Sequence, residues 1–313
     1  MIKKIVGKVN RATASVIYGV EGIGKSTLAA QTSDPLFIDL EGGTYQLDVA
    51  RVEPPGEWEE LISMTREVSV TPGICKTLVL DTADRAEMLA MEFVCRKYKQ
   101  TSIEGFGYGK GYVYLQEEYK RLQDVLSQVV SAGINVMVLA HARMRKQELP
   151  DEAGAFDRWE LKLTRQVAPM VKEWCDALLF ANYKTYVVTT DNDTKKATGG
   201  KRVLYTTHHP CWDAKNRIGL PDEISMEYAS IAPLFYGTEG MHQPEGSPYQ
   251  QLRELMDQNG VTDADIQKVV SDKGHYPLDT PISEYPDKFI SGWLIVHWQK
   301  ILLMVQKDDC TDK

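Results

Sequence analysis

Gly19-Val20-Glu21-Gly22-Ile23-Gly24-Lys25-Ser26-Thr27 is the stretch that decides how this chain folds. Residues 19–26 fit the pattern G-x-x-x-x-G-K-[ST] at every fixed position, and the flanks suit it. Ala14-Ser15-Val16-Ile17-Tyr18 reads as a short buried strand, and Thr27-Leu28-Ala29-Ala30-Gln31 reads as the start of a helix. Glycines let such a loop fold into a cup whose N–H groups face phosphate oxygens, at the positive end of a helix. Lys25 is expected to reach the β- and γ-phosphates of ATP, and Ser26 to hold Mg²⁺ through its hydroxyl. The loop as a whole, Gly19 to Thr27, is the expected nucleotide-binding element.

Working outward, apolar strands alternate with helical patterns, the signature of an α/β fold with a mainly parallel sheet. Pro35-Leu36-Phe37-Ile38-Asp39-Leu40 reads as a second strand and Thr77-Leu78-Val79-Leu80-Asp81 as a third. Helices are expected over Glu57 to Val70 and about Asp84 to Lys99. A Gly/aromatic loop, Gly105 to Tyr112, leads into another helix ending near Ser131. Ile134 to Ala140 reads as a fourth strand, followed by a basic loop. A helix near Leu163 to Cys175 and a strand, Ala177 to Phe180, come next. From Tyr183 the pattern shortens into an antiparallel edge hairpin around Asp191-Asn192-Asp193. The expected organisation is a core over residues 1–236, a Gly/Pro/Glu/Ser-rich linker over 237–248 and a small helical interaction domain over 249–313. In that domain Thr262 and Asp265 are spaced as a capping box, and a last helix is expected from about Asp287 to Gln306.

The carboxylates fall where an ATPase needs them. Asp81 closes an apolar strand, the position of a Walker B group that fixes the Mg²⁺ shell. Thr82 follows it where many P-loop ATPases carry a glutamate, so the base for water attack must come from elsewhere. Glu41 closes the strand expected beside the phosphate-loop strand and is the candidate, since ligands in open α/β sheets gather at the carboxyl ends of strands.

At these residues the chain resembles the RecA-core P-loop ATPases. Phe37-Ile38-Asp39-Leu40-Glu41 is similar to the strand whose glutamate is the catalytic base there. Val138 to Met144 is similar to the strand ending in a polar γ-phosphate sensor, a position that His141 occupies here instead of glutamine. Ala214-Lys215-Asn216-Arg217-Ile218-Gly219-Leu220-Pro221 resembles the segment whose two basic residues reach the ATP of a neighbouring subunit. The resemblance implies that Lys215 and Arg217 act across an interface in a homo-oligomer, a filament or a ring. It spans about residues 12–235 and is strongest toward phage-encoded proteins of single-strand annealing and recombination. It therefore implies a single-stranded DNA substrate and a host-cytoplasmic setting. A recombination or single-strand-binding partner could be recruited through the C-terminal domain.

Two segments are the expected DNA contacts. Thr101 to Tyr114 interleaves Phe106, Tyr108 and Tyr112 with Lys110, giving stacking faces beside a cation. Arg143 to Lys162 carries Arg143, Arg145, Lys146 and Arg158, but also Glu148, Asp151, Glu152 and Asp157. The hairpin cations Lys195, Lys196, Lys201 and Arg202 read as solvated charge, with DNA contact as the alternative. A net charge of −8 over 313 residues argues against coating a duplex by charge alone and confines any nucleic-acid contact to a local patch. Five scattered cysteines with no C-x-x-C pair suit reduced thiols, and His208-His209-Pro210-Cys211 lacks a second ligand cluster for zinc. No stretch approaches the roughly 18 apolar residues of a membrane span. A translocating motor on the same core, or an ATP-gated switch without a DNA substrate, stays open as an alternative.

Overall fold

Why the strands stack as they do follows from their composition. Thr77–Asp81 (β4) and Ala14–Gly19 (β1) are buried along their whole length, as only central strands covered on both faces can be. The computed structural model describes residues 7, 9, 11–148, 154–189, 195–235 and 248–308. It divides into two compact units, residues 1–241 and 242–313.

In the larger unit, Pro35–Asp39 (β2) and Asn135–Glu148 (β5) join β1 and β4 in a parallel array. The array runs on through Ala177–Thr189 (β7) on the other side of β1, and through Lys195–Tyr205 (β8). The sheet order is β10-β8-β7-β1-β5-β4-β2-β3, where β3 is Ala50–Arg51 and β10 is Glu223–Ser225, and Lys215–Asn216 (β9) pairs with β7 off this path. Strands β7, β8 and β10 pair antiparallel, so the sheet is mainly parallel with an antiparallel margin, the α/β class expected.

Side-chain alternation divides the core into two layers. Val16, Tyr18, Ile38, Leu78, Leu80 and Val138 point to one face. The helices Trp58–Val70 (α2), Ala83–Lys97 (α3), Lys110–Ser131 (α4) and Val167–Trp174 (α5) contribute Trp58, Leu89, Leu122 and Val171 to the same cluster. Ile17, Phe37, Val79, Leu139 and Leu179 point to the other face, with Ile23 of the loop, Leu28 of Lys25–Ala29 (α1), and Leu234 and Phe235. This is helix–sheet–helix layering around one continuous sheet.

Three expectations need correction. The aromatic loop is shorter than expected: α4 begins at Lys110, so Lys110, Tyr112 and Tyr114 lie on a helix rather than a loop. The spacing of Leu115, Tyr119, Leu122 and Leu126, all buried, is helical and carries the first turn with it. The basic loop after residue 140 is a hairpin. Strand β5 continues past its parallel partners to Glu148 and pairs antiparallel with Ala155–Leu161 (β6), from Ala142 opposite Leu161 to Glu148 opposite Ala155. The charges that suggested a loop are tolerated because this ribbon lies outside the two-sided core. Strand β7 likewise runs well beyond Phe180, held by its antiparallel partner β8. Residues 191–193, Asp151, Glu152 and the expected linker up to residue 247 lie outside the described residues.

The smaller unit has its own apolar cluster, built by Leu252 and Met256 of Pro248–Asn259 (the helix α6), Ile266 and Val270 of Asp263–Asp272 (α7), and Tyr285, Leu294, Trp298 and Ile301. Thr262 and Asp265 form the capping box: the Thr262 hydroxyl accepts from the Asp265 N–H at 3.4 Å and the Asp265 carboxylate accepts from the Thr262 N–H at 2.8 Å. The last helix is not continuous. A π-helical stretch, Ile290–Ile295, precedes Trp298–Asp308 (α8), with Gly292, a weak helix former, in that stretch.

Phe180 is fully buried, with Tyr18 at 5.0 Å, Trp159 at 5.9 Å and Trp212 at 5.9 Å between ring centroids. Phe180→Ala is expected to cost about 3–5 kcal/mol of stability, read as a lower denaturant midpoint. A shift below about 1 kcal/mol would show that the cluster collapses to fill the hole.

Candidate nucleotide site

The loop after β1 takes the shape its glycines allow. Gly22 and Gly24 have φ of +71° and +103°, a left-handed backbone that side-chain-bearing residues resist. Gly24 then caps α1, which opens at Lys25. Lys25 is buried, and its ammonium donates to the carbonyls of Gly19 at 3.3 Å and Val20 at 3.0 Å. Burial pulls its pKa down, opposed by Asp81, Asp84 and Glu41. Of the other loop positions, Ile23 is fully buried in the core, whereas Glu21 is exposed and stands 3.8 Å from Lys162.

Register brings the second half of the site to the loop. Asp39 and Asp81 are partners across β2 and β4, and Gly19 is the partner of His141 across β1 and β5. The Ser26 hydroxyl donates to Asp81 at 2.6 Å. A hydroxyl and a carboxylate converging beside a phosphate cup are the hard oxygen donors that Mg²⁺ takes, so Ser26 and Asp81 fit as its protein ligands. Burial, with Asp39 and Glu41 nearby, pushes the Asp81 pKa up to about 6 against the Ser26 hydrogen bond. A divalent cation would relieve that crowding of negative charge.

Glu41 does not close a strand beside β1, contrary to expectation: β2 ends at Asp39 and pairs with β4, because β5 takes the place next to β1. Glu41 is presented by the turn after β2, which Asp39 ties down. The Asp39 carboxylate accepts from the N–H groups of Glu41, Gly42, Gly43 and Thr44 and from the Thr44 hydroxyl, at 2.6–3.3 Å. Burial opposes its ionisation, but the hydrogen bonds from Thr44 and the turn outweigh it and hold the carboxyl below its ordinary pKa. Glu41 in turn accepts from the Thr82 hydroxyl at 2.6 Å. Thr82, standing where a glutamate was absent from the sequence pattern, thus orients the glutamate of the turn after β2.

His141 stands beside them. Asp84 accepts from its backbone N–H at 3.0 Å and meets its ring Nδ1 at 2.9 Å, and Glu41 lies 3.7 Å from the same nitrogen. Ligand atoms of Glu41, Asp84 and His141 lie within 4.8 Å of one another. With Glu21, Arg85, Met88 and Lys162 they line a cavity of about 470 Å³ beside the phosphate loop.

The sequence pattern did not single out Asp39 or Asp84, and it read Arg202 only as hairpin charge. The first reads as an ordinary strand-ending acid and the second as an acidic residue in the first turn of a helix. Arg202 comes from β8, yet its guanidinium donates to the Ile23 carbonyl of the phosphate loop at 3.1 Å. It is a loop contact rather than free hairpin charge.

The two basic residues of the 214–221 segment lie at the other end of the sheet. Lys215 pairs with Leu178, three residues before the Ala181 that faces Gly19, so neither it nor Arg217 reaches the phosphate loop of its own chain. The Lys215 ammonium donates to the carbonyls of Lys172 at 2.9 Å, Glu173 at 2.9 Å and Cys175 at 2.6 Å, closing the end of α5. Arg217 is more open, 59% exposed and 3.9 Å from Asp176.

The expected DNA contacts separate. Tyr108 is fully exposed, but Phe106 packs on Tyr98 and Tyr114, and Tyr112 donates to Glu104 at 2.7 Å. Arg158 is bound to Asp213 and to the Pro210 carbonyl. Arg145 lies 3.7 Å from Glu160, and Lys146 is exposed on the ribbon. Arg143 and Arg145 join Tyr112, Met144, Thr164, Arg165 and Gln166 around a second cavity of about 480 Å³, and the Arg143 Nε is buried without a hydrogen-bond partner.

Residues 11–218 match the model of the AAA-domain family, and the chain belongs to that family. It therefore carries an AAA-type P-loop ATPase domain. Among solved structures, a KaiC-like protein from the hyperthermophilic archaeon Pyrococcus horikoshii OT3 is similar over 62% of this chain and 79% of its own. The two share 13% sequence identity with a TM-score of 0.34. No curated protein matches the chain. Among the described residues, no helix is long and apolar enough to cross a membrane.

The Asp84 hydrogen bond raises the His141 pKa above its ordinary value, against the effect of burial. A folded value above the unfolded one of about 6.5 stabilises the protein fully below that pH, and the contribution is lost as pH rises through the folded value. Asp84→Asn is expected to lower the imidazole pKa and flatten stability over that window. An NMR titration of the His141 ring checks it, and an unmoved pKa would remove Asp84 as the cause.

Proposed function

We propose that this protein hydrolyses ATP with Mg²⁺ and couples turnover to holding single-stranded DNA, as a homo-oligomer acting in phage annealing or recombination. The contact that carries the ATPase reading is Ser26 on Asp81, with Glu41 of the turn after β2 and His141 of β5 3.7 Å apart beside it. Mg²⁺ supplies charge neutralisation at the β- and γ-phosphates when bound. Glu41 would orient and deprotonate the attacking water while Thr82 fixes its carboxylate. His141, held by Asp84, would report the γ-phosphate through its free ring nitrogen.

Support for the DNA half is more local. Arg143, Arg145 and Arg165 gather around one cavity beside Tyr112, an arrangement suited to backbone phosphates with a ring near the bases. A net charge of −8 favours such a confined site over a broad basic face. Arg217 is the stronger candidate for action on a neighbouring subunit, because Lys215 already serves its own helix end.

Steady-state ATPase with and without single-stranded DNA, at two salt concentrations, tests the reading. Turnover should rise with DNA and the rise should fade with salt, and Lys25→Ala should abolish it. Turnover indifferent to any nucleic acid would favour an ATP-gated switch instead. Glu41→Gln should leave ATP binding within about threefold and lower kcat on the order of 10²-fold or more. Normal turnover in that variant removes Glu41 as the base. Arg143→Gln together with Arg165→Gln should weaken DNA stimulation while leaving DNA-free turnover in place; undiminished stimulation would place the DNA elsewhere.

A further inference from the structure

The β7–β8 hairpin delivers one cation to the phosphate loop, and its position states which part of a nucleotide it meets. Arg202 lies two residues before Leu204, which packs in the same core layer as Ile23 and Leu28. Leu204 is the partner of Ala181, and Ala181 is the partner of Gly19, so the hairpin is in register with the strand that feeds the loop. From there the guanidinium donates through Nη1 to the Ile23 carbonyl at 3.1 Å, and a Cβ at Gly24 would stand 2.6 Å from that nitrogen. Two constraints therefore meet at Gly24: a left-handed backbone and room for an arginine head.

The guanidinium is exposed, and among the described residues no carboxylate pairs with it. One of its five N–H donors serves Ile23, which leaves a planar, permanently charged fork at the mouth of an anion-binding loop. Sheet order gives the direction of approach. β8 stands on the far side of β7 and β1 from β5 and β4, which carry His141 and Asp81, and from β2, whose following turn carries Glu41. On the ATPase reading, Ser26, which donates to Asp81, would draw the β,γ end of a triphosphate toward β4 and so turn its α end toward the β7–β8 side.

We propose that Arg202 is a nucleotide-binding residue acting within its own chain, gripping the α- and β-phosphates of ATP and ADP alike. This deepens the ATPase reading and rests on it. Arg202 then strengthens nucleotide retention without taking part in cleavage of the γ-phosphate. Its role differs from that of Arg217, which lies at the opposite end of the sheet and cannot reach this loop in its own chain.

The test is fluorescence titration of the full-length protein with a labelled ADP, together with ATPase kinetics, for the parent, Arg202→Gln and Arg202→Lys. ADP affinity should fall about tenfold in Arg202→Gln, as expected for a charge-assisted hydrogen bond. KM for ATP should rise by a similar factor, with kcat at saturating ATP within about twofold. Arg202→Lys should recover part of the loss, because the charge stays and the fork goes. Unchanged ADP affinity in Arg202→Gln overturns the proposal and leaves Arg202 a strut for the loop carbonyl. A fall in kcat with ADP affinity intact overturns it too, by moving the contact to the γ-phosphate. Loss of binding in both variants together with a lowered unfolding midpoint would show a structural role and also overturn it. A parent protein that binds no ADP would defeat the ATPase reading itself, a result distinct from all three.

Discussion

The close passage of β1 against β7 is the constraint on which the rest of the site depends. A Cβ at Gly19 would lie 2.3 Å from the Ala181 carbonyl oxygen, so the last residue of β1 has no room for any side chain. That approach sets the register of three strands at once, because Gly19 faces Ala181 on one side and His141 on the other. A slip of one residue would invert every side chain on β1 and exchange the two core layers. It would also move the phosphate loop relative to Asp81 and Glu41, whose positions follow from the neighbouring parallel pairs. Interior packing and the geometry of the candidate nucleotide site are thus one and the same constraint here.

Electrostatics at the strand ends follow from that register. Asp81, Asp84 and Glu41 act on one buried lysine, with Asp39 beside Asp81, and each carboxylate is treated differently. Asp39 is held ionised by the turn it anchors, Asp84 pairs with His141, and Asp81 is pushed toward neutrality by burial. Only Glu41 keeps substantial exposure, at 35% of its side chain, which suits a group that must meet water. Environment, rather than residue type, separates the roles.

The antiparallel margin gives the fold its asymmetry. On one side of β1 lie the carboxylates and the imidazole, and on the other the β7–β8 hairpin brings Arg202 to the loop. The β5–β6 ribbon extends from the same strand that carries His141 and places Arg143 at the second cavity. Nucleotide and candidate strand-binding surfaces therefore share β5 as a rigid support. The C-terminal unit is independent of this arrangement in the sense that it closes its own core around Trp298 and Tyr285.

The sequence by itself determined the phosphate loop, the apolar runs of the central strands, and the strand-end position of Asp81. These are local signals: a loop that needs glycine at set positions, and apolar runs that can only be central strands. It misread the lengths of elements that stabilise each other at a distance. The basic ribbon and the start of α4 looked like loops, since charge and glycine are loop signals until a partner strand or a buried helical face overrides them. Tertiary structure alone decided that Lys215 closes a helix end, that Arg158 belongs to Asp213, and that Arg202 reaches the phosphate loop from a hairpin. A long cationic side chain chooses its partner by what lies within reach in space, and nothing in its sequence neighbours records that choice.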